Sequence, residues 1–497
     1  MPRASLVVVL CVVLTSAVAT AQNLCPSGAK SDKLICLIPQ VYGPNGLEVR
    51  NPDPAQQGDF GVNFLTDSLS AVQSSIARQS ALLPLASPSS GVTFSWDTAT
   101  KVFVASTDSY GPILGERSDT IGKYRLFLGF DYQYFKFSSL DGVDMKKLPV
   151  ALPQNDFTLN DGTTICSLNG TIEQQTGQCG FIRDVVTTEN RIDLKIHQFT
   201  TFVTFGLTNR IDVSVAIPIE NVRLGMTSRA TVSHNDTDSR FAHAFAPGPD
   251  CPNSPPAICL VHTFSNIGSV SGIGDITLRV KGAAWKGERG GLALGVDVRV
   301  PTGDSLNYLG AGAPGVKPFI IWSYRSRISP HAFVGYETNG SSTIAGDIAS
   351  GNKVKLPGDL TYSGGVDFWI TKRLTVAADL VGQQVFQAQR TIRNTFTEPG
   401  QCQDNPDTAV QCDPNFGPPP FLPPKHDSNL AQSTETFNMT NLSVGAKVRP
   451  FGTKVKPAGA KANPSSTLLI TGNVLIRLND GGLRSRFVPL VGISYTF

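Results

Sequence analysis

Long apolar runs, histidine and an excess of charge of either sign are all scarce in this 497-residue chain. Beyond residue 21, no uninterrupted apolar stretch approaches the ~18 residues of a membrane-crossing helix, which excludes a polytopic helical membrane protein. Charged residues make up 16% of the chain, against roughly 25% in an average soluble domain. The 42 basic and 39 acidic residues nearly cancel, leaving +3, so there is no electrostatic platform for nucleic acid. No G-x-S-x-G or H-E-x-x-H occurs, which removes the common signatures of a serine hydrolase elbow and a zinc-binding helix. Glycine (47) and proline (34) are plentiful, too many for a helical bundle and without the period of collagen. Alternating apolar segments recur to the last residue, unlike a disordered chain.

Residues 1–21 read as a signal peptide: Arg3, an apolar stretch from Leu6 to Leu14, then Ala19-Thr20-Ala21 as a small-x-small cleavage site. The apolar core is too short to span a bilayer. Of the nine cysteines, Cys11 falls in this segment. The other eight form four local pairs, Cys25/Cys36, Cys166/Cys179, Cys251/Cys259 and Cys402/Cys412. An even count in an exported chain implies disulfides, and proximity favours the local pairing. Zinc sites want tighter cysteine spacing and clustered histidines.

The C-terminal segment is the most informative. Phe487, Pro489, Val491, Ile493, Tyr495 and Phe497 share one face of a period-two strand, with Val488 and Leu490 as exceptions on the other. A terminal Phe closing such a strand resembles the C-terminal assembly signature of bacterial outer-membrane proteins, and implies the barrel-assembly machinery as a partner. The same alternation places twelve strands near 123–137, 190–207, 211–232, 274–285, 291–301, 316–325, 328–340, 358–370, 373–389, 434–449, 466–479 and 484–497. A soluble sandwich would show the same period. Connection lengths separate the two, because long and short alternate for nine consecutive connections, as in an up-and-down transmembrane barrel. The expected fold is therefore an all-β antiparallel barrel of about 12 strands (14 if a short hairpin joins) over residues 119–497, with both termini periplasmic. Three of the cysteine pairs fall in its three longest loops.

Residues 22–118 do not read as barrel. Leu65, Leu69, Val72, Ile76 and Leu83 mark one face of a helix ended by Pro84, and 92–96 with 101–105 suggest a short hairpin. The segment is either a plug inside the barrel or a periplasmic cap beneath it. Phase also nominates lumen-lining residues: Arg125, Asp131, Lys195, His197, Asp275, Arg279, Lys281, Asp297, Arg299, His331, Asp367 and Asp379. Their mixed signs suit an ion-paired interior more than a pore selective for one charge.

Gly310-Ala-Gly312-Ala-Pro-Gly315 spells a dinucleotide fingerprint, but it precedes a strand rather than opening a helix, so no cofactor is expected. His234, His243 and His262 share a loop with Asp236, Asp238 and Asp250, which reads as a polar loop before it reads as a metal site. No serine or acid is placed beside His197 or His331 by sequence, so hydrogen-bonded lumen residues are expected there, not catalytic ones.

The stretch 272–336 contains SGIGDITLRVKGAAW, then LALGVDVRVPTGDSLNYLGAGAPGVKPFIIWSYR, then ISPHAFVGYETNG. It resembles the outer-membrane proteins of the meta-pathway of phenol degradation, distant kin of the FadL/TodX hydrophobic-compound transporters. The matching residues are Gly274, Asp275, Pro301, Thr302, Gly303 and Asp304. The resemblance implies an outer-membrane channel for passive uptake of small hydrophobic or aromatic molecules, bedded in outer-membrane lipid. An outer-membrane lipase or protease, and a surface-structural or adhesive barrel, are the alternatives.

Overall fold

A computed structural model describes residues 25, 28–49, 72–80, 83, 94–97, 102–105, 109–153, 157–158, 164–166, 184–233, 243–246, 250, 259–346, 351–397, 426–450 and 467–497. Twelve strands close a ring: β1 Leu126–Leu140, β2 Val185–Gly206, β3 Ile211–Ser233, β4 in two pieces (Val261–Ile273 and Ile276–Lys286), β5 Gly290–Val300, β6 Gly315–Tyr324, β7 Ile328–Asn339, β8 Asp359–Thr371, β9 Leu374–Thr397, β10 His426–Val448, β11 Thr467–Arg477 and β12 Phe487–Thr496. Each pairs antiparallel with its sequence neighbour, and β12 pairs with β1 to close the ring. The hairpin Phe94–Asp97 with Val102–Ala105 forms its own two-stranded sheet. The ring therefore has twelve strands, not fourteen. No helix among the described residues is long and apolar enough to cross a membrane.

The outer face is apolar. Phe130, Phe199, Val280, Leu294, Ile320, Val334, Leu380, Val444, Ile470 and Val491 all stand exposed on it, far more contiguous apolar surface than a soluble monomer tolerates. Only lipid satisfies such a belt, so the barrel is a membrane barrel. On β2 and β3 the polarity of the two faces then swaps. Below His197 and Asn221 the outward residues are Phe199, Ile217 and Ile219, opposite inward Gln198, Thr200 and Glu220. Above them the outward residues are Lys195, Asp193 and Arg223, while Ile192, Leu194, Ile196, Val222 and Leu224 are buried inside. The swap marks where lipid gives way to water, with Tyr132, Tyr134 and His197 stacked at the boundary.

The upper piece of β4, Val261–Ile273, reads from the sequence as loop. It stands above the swap, so its outward residues are mostly polar, Thr263, Ser265, Ser269 and Ser271 with Ile267 and Ile273 among them, and the unbroken apolar alternation that marks a lipid-facing strand is missing. The two pieces of β4 run in line along β3, interrupted at Gly274-Asp275. Beside the interruption β5 ends, with Val300 opposite Ile276. The loop 301–314 fills the space. Asp275 accepts from the Gly303 (3.0 Å) and Ala311 (2.8 Å) amides, and Thr302 Oγ1 donates to the Gly274 carbonyl (2.7 Å). Asp304 accepts from the Leu306 amide and pairs with Lys33 (3.1 Å). The Gly-Asp and Pro-Thr-Gly-Asp residues thus form a clasp between strand break and loop. Gly303 is obligatory here, because a Cβ would stand 2.1 Å from the Leu309 carbonyl oxygen.

Of the expected N-terminal helix, residues 72–80 are helical, with Val72 and Ile76 fully buried; Leu65 and Leu69 lie outside the described residues. Arg78 ties it to the carbonyls of Ile344 (3.1 Å) and Ala345 (2.9 Å), and burial pulls its guanidinium down to about 10. Cys25 and Cys36 are disulfide-bonded, as is Cys259. Cys179, Cys251, Cys402, Cys412 and the signal segment 1–21 lie outside the described residues. Alkylation of the unreduced mature protein should label no cysteine. Labelling of Cys25 or Cys259 by mass spectrometry would contradict their bridges.

Candidate functional site

Strand phase carries charged side chains to the inside of the ring, where little water can screen them, so each needs a partner. On β4 to β7 they form a cross-strand ladder. Arg279 on β4 grips Asp297 on β5 through two bonds (2.6 and 2.8 Å). Lys317 on β6 bridges Asp297 (3.7 Å) and Glu337 on β7 (3.6 Å). Arg299 reaches Glu337 (2.9 Å) and Asp275 (3.5 Å). Opposed signs alternate from strand to strand, so the ladder is close to neutral.

Residues 109–121 are bonded to inner side chains around much of the ring. Glu116 pairs with Arg279, Arg117 and Ser109 with Asp367, and Asp119 with Arg325. Ser118 meets Ser323 (2.6 Å), and the Ile121 amide donates to Asp212 (2.9 Å). Lys281 donates to the carbonyls of Asp119 (2.8 Å) and Arg117 (3.3 Å), and Lys447 to that of Tyr110 (3.2 Å). His331 lies between two carboxylates, 2.6 Å from Asp379 and 3.5 Å from Asp367. Gly115 passes directly over it, where a Cβ would fall 2.6 Å from the His331 ring. A segment with this many buried charged contacts is held in one place, since breaking one buried pair costs about 3–5 kcal/mol.

Above the ladder is a cavity of about 250 Å³. Phe135, Phe137, Phe202, Leu475 and Val488 line one side, and the Arg279–Asp297–Arg299 ladder lines the other. Val488 and Leu490, the two apolar residues out of phase in the last strand, are buried inside the barrel.

Among the residues nominated by phase, Arg125, Asp275, Arg279, Lys281, Asp297, His331, Asp367 and Asp379 are buried within the ring. Asp131 and Arg299 share the inward phase of buried neighbours. Lys195 and His197 do not. Both point outward, in phase with exposed Phe199, and Lys195 pairs with Asp193 at the surface while His197 bonds the Tyr132 hydroxyl (2.8 Å). The error has a physical cause: His197 sits at the polarity swap and Lys195 above it, where polar residues face water outside the wall. Lys317 and Glu337 were legible from phase and overlooked. Glu116, Arg117 and Gln79 carried no periodic signal. His243 bonds Asp184 (2.8 Å) and His262 stacks between Phe245 and Phe264, whereas His234, Asp236 and Asp238 lie outside the described residues. No cluster of three potential metal ligands occurs among the described residues.

Residues 184–399 match the family model described as putative MetA-pathway of phenol degradation, which spans the stretch 272–336 and bears out the resemblance carried there. No curated protein sequence matches. Among solved structures, the chain is similar to an outer membrane channel of Pseudomonas putida F1, at 11% identity, over 76% of this chain and 98% of that one, with a TM-score of 0.37. A FadL homologue of Pseudomonas aeruginosa matches at 10% identity over 75% and 90%, with a TM-score of 0.28. The toluene transporter TbuX of Ralstonia pickettii matches at 10% identity over 76% and 89%, with a TM-score of 0.21.

Proposed function

We propose that this barrel is an outer-membrane channel for the passive uptake of small hydrophobic or aromatic molecules. The observation that carries the reading is the lumenal cavity, which sets a wall of Phe135, Phe137 and Phe202 inside a ring of otherwise paired charge. An apolar cavity of 150 Å³ already admits benzene, so about 250 Å³ accommodates one substituted ring. In the same reading, residues 22–118 supply a plug, its seated part being 109–121. The C-terminal end is periplasmic, on the side of the short turns at 207–210, 287–289 and 325–327, whereas Cys25, bridged to Cys36, sits at the other end, where Lys33 pairs with Asp304 and Tyr42 bonds Ser228. Assembly machinery would engage β12, and Phe497, the residue after it, bonds the start of β1. The enzyme alternative finds no support in the lumen. Ser109, which bonds within the His331 cluster, donates to Asp367 rather than to the imidazole, so no serine–histidine pair forms there among the described residues.

Expressing the full chain in a porin-poor outer membrane should accelerate toluene uptake several-fold without consuming it, and should leave large hydrophilic sugars excluded. Uptake equal to that of the empty membrane would refute the channel, and turnover of an added ester would favour the enzyme.

A further inference from the structure

Three cations stand side by side on the outer wall, just above the polarity swap. Lys136 on β1 lies directly opposite Lys195 on β2, and Lys195 lies directly opposite Arg223 on β3. All three keep the outward phase of Phe130, Phe199 and Ile219 below them. Directly opposed side chains on neighbouring strands have Cβ atoms ~5 Å apart, and like charges placed so are destabilising. Asp193 offsets one of the charges by pairing with Lys195 (2.6 Å). Lys136 and Arg223 are exposed and make no side-chain hydrogen bond or ion pair among the described residues. On the whole outward face of β1 to β3 above His197, Arg191 and Arg229 join the row and Glu189 joins Asp193, which leaves five bases against two acids.

Like charges set together at one height on a barrel wall match an anion held at that height. The height is marked by Tyr132 and Tyr134, which stack on His197 at the level where amphipathic rings meet the membrane surface. Lys136 and Lys195 lie two residues beyond Tyr134 and His197, ~7 Å further along the strands, at the depth of headgroups rather than of acyl chains. Below the row, exposed Phe130, Phe199 and Ile219 offer an apolar wall for those chains. Beside it the polar surface continues in hydroxyls: Ser269 is opposite Arg223, and Asn221 donates to Ser271 (2.7 Å). Acyl wall, cation row and neighbouring hydroxyls correspond to the three parts of one molecule, an acylated and phosphorylated sugar. Resting on the orientation proposed above, which turns this end outward, we infer that Lys136, Lys195 and Arg223 bind the phosphate of a lipid A-type glycolipid in the outer leaflet. Basic side chains at a membrane surface recognise anionic headgroups, and charge-assisted bonds to phosphate are roughly twice as strong as neutral ones. The bound phosphate also relieves the like-charge contact between the three strands.

The test is native mass spectrometry of the purified full chain in detergent, titrated with bisphosphorylated lipid A, the same lipid dephosphorylated, and phosphatidylethanolamine. The bisphosphorylated lipid should bind about tenfold more tightly than either of the others. Lys136→Gln combined with Arg223→Gln should abolish that preference while leaving the weaker binding of the dephosphorylated lipid unchanged, which also shows that the apolar wall is intact. Arg327→Gln combined with Lys372→Gln, at the short turns of the opposite end, should keep the preference. Equal affinity for the phosphorylated and dephosphorylated lipids, or a preference that survives in the Lys136/Arg223 variant, would overturn the site. Phosphatidylethanolamine bound as tightly as lipid A would overturn the glycolipid as its occupant. A preference lost in the Arg327/Lys372 variant alone would overturn both the site and the orientation on which it rests. The channel reading is decided separately, by toluene uptake, which the Lys136/Arg223 variant should not change.

Discussion

Replacing Glu116 and Arg117 together with alanine should raise the conductance of this barrel in a planar bilayer by on the order of a hundredfold in open probability. The reasoning concerns what each variant leaves behind. Arg117 lies against Asp367, and Glu116 against Arg279, in a space that residues 109–121 themselves close to water. With the segment seated but the two side chains truncated, Asp367 loses its guanidinium and Arg279 one of its two carboxylates. With the segment displaced, water solvates both. The loss therefore falls on the closed arrangement, and removing one partner of a buried pair is worth about 3–5 kcal/mol. Even 3 kcal/mol shifts a two-state population by roughly two orders of magnitude. His331 and Ser109 still contact Asp367, and Asp297 still holds Arg279, so the ring itself keeps its interior contacts. Single-channel recording reads the effect directly. Unchanged conductance in this variant, together with unchanged conductance after removal of residues 22–118, would show that the segment is not the barrier.

The second large effect concerns the lipid face. Val296 lies at the middle of β5, between Val280 and Pro318 on the neighbouring strands, in phase with exposed Leu294 and Val298. Val296→Arg puts a charge against hydrocarbon near the midplane and should lower folding stability by ~2–4 kcal/mol. Urea titration in lipid vesicles measures it. The inward control is Gln383→Arg, since Gln383 lines the cavity and donates to Asp359 (2.9 Å), a carboxylate that a guanidinium also satisfies. It should fold with the yield of the unaltered chain. Equal losses from both would reject the assigned faces. Gly295 is not a usable control, although strand phase alone suggests it: a Cβ there would stand 2.3 Å from the Phe319 ring, which Arg279 also covers. Arginine at 295 would have to displace that ring and should destabilise from inside.

Twelve strands and their lipid face were legible in the residues alone. Each of these depends on a local signal. A strand turns its side chains alternately to two solvents, so Val491, Ile493 and Tyr495, or Leu294, Val296 and Val298, announce lipid without reference to anything distant. The same rule misplaced Lys195 and His197 and missed 261–273, because above the bilayer the outer solvent becomes water and the alternation inverts. What fills the ring was not legible in this way. Glu116 and Arg117 sit in a segment without period, and their partners Arg279 and Asp367 lie more than a hundred residues away. Likewise Ser485 comes opposite Phe137, and the Leu483 amide meets Gln79 from the far end of the chain, only when the barrel closes.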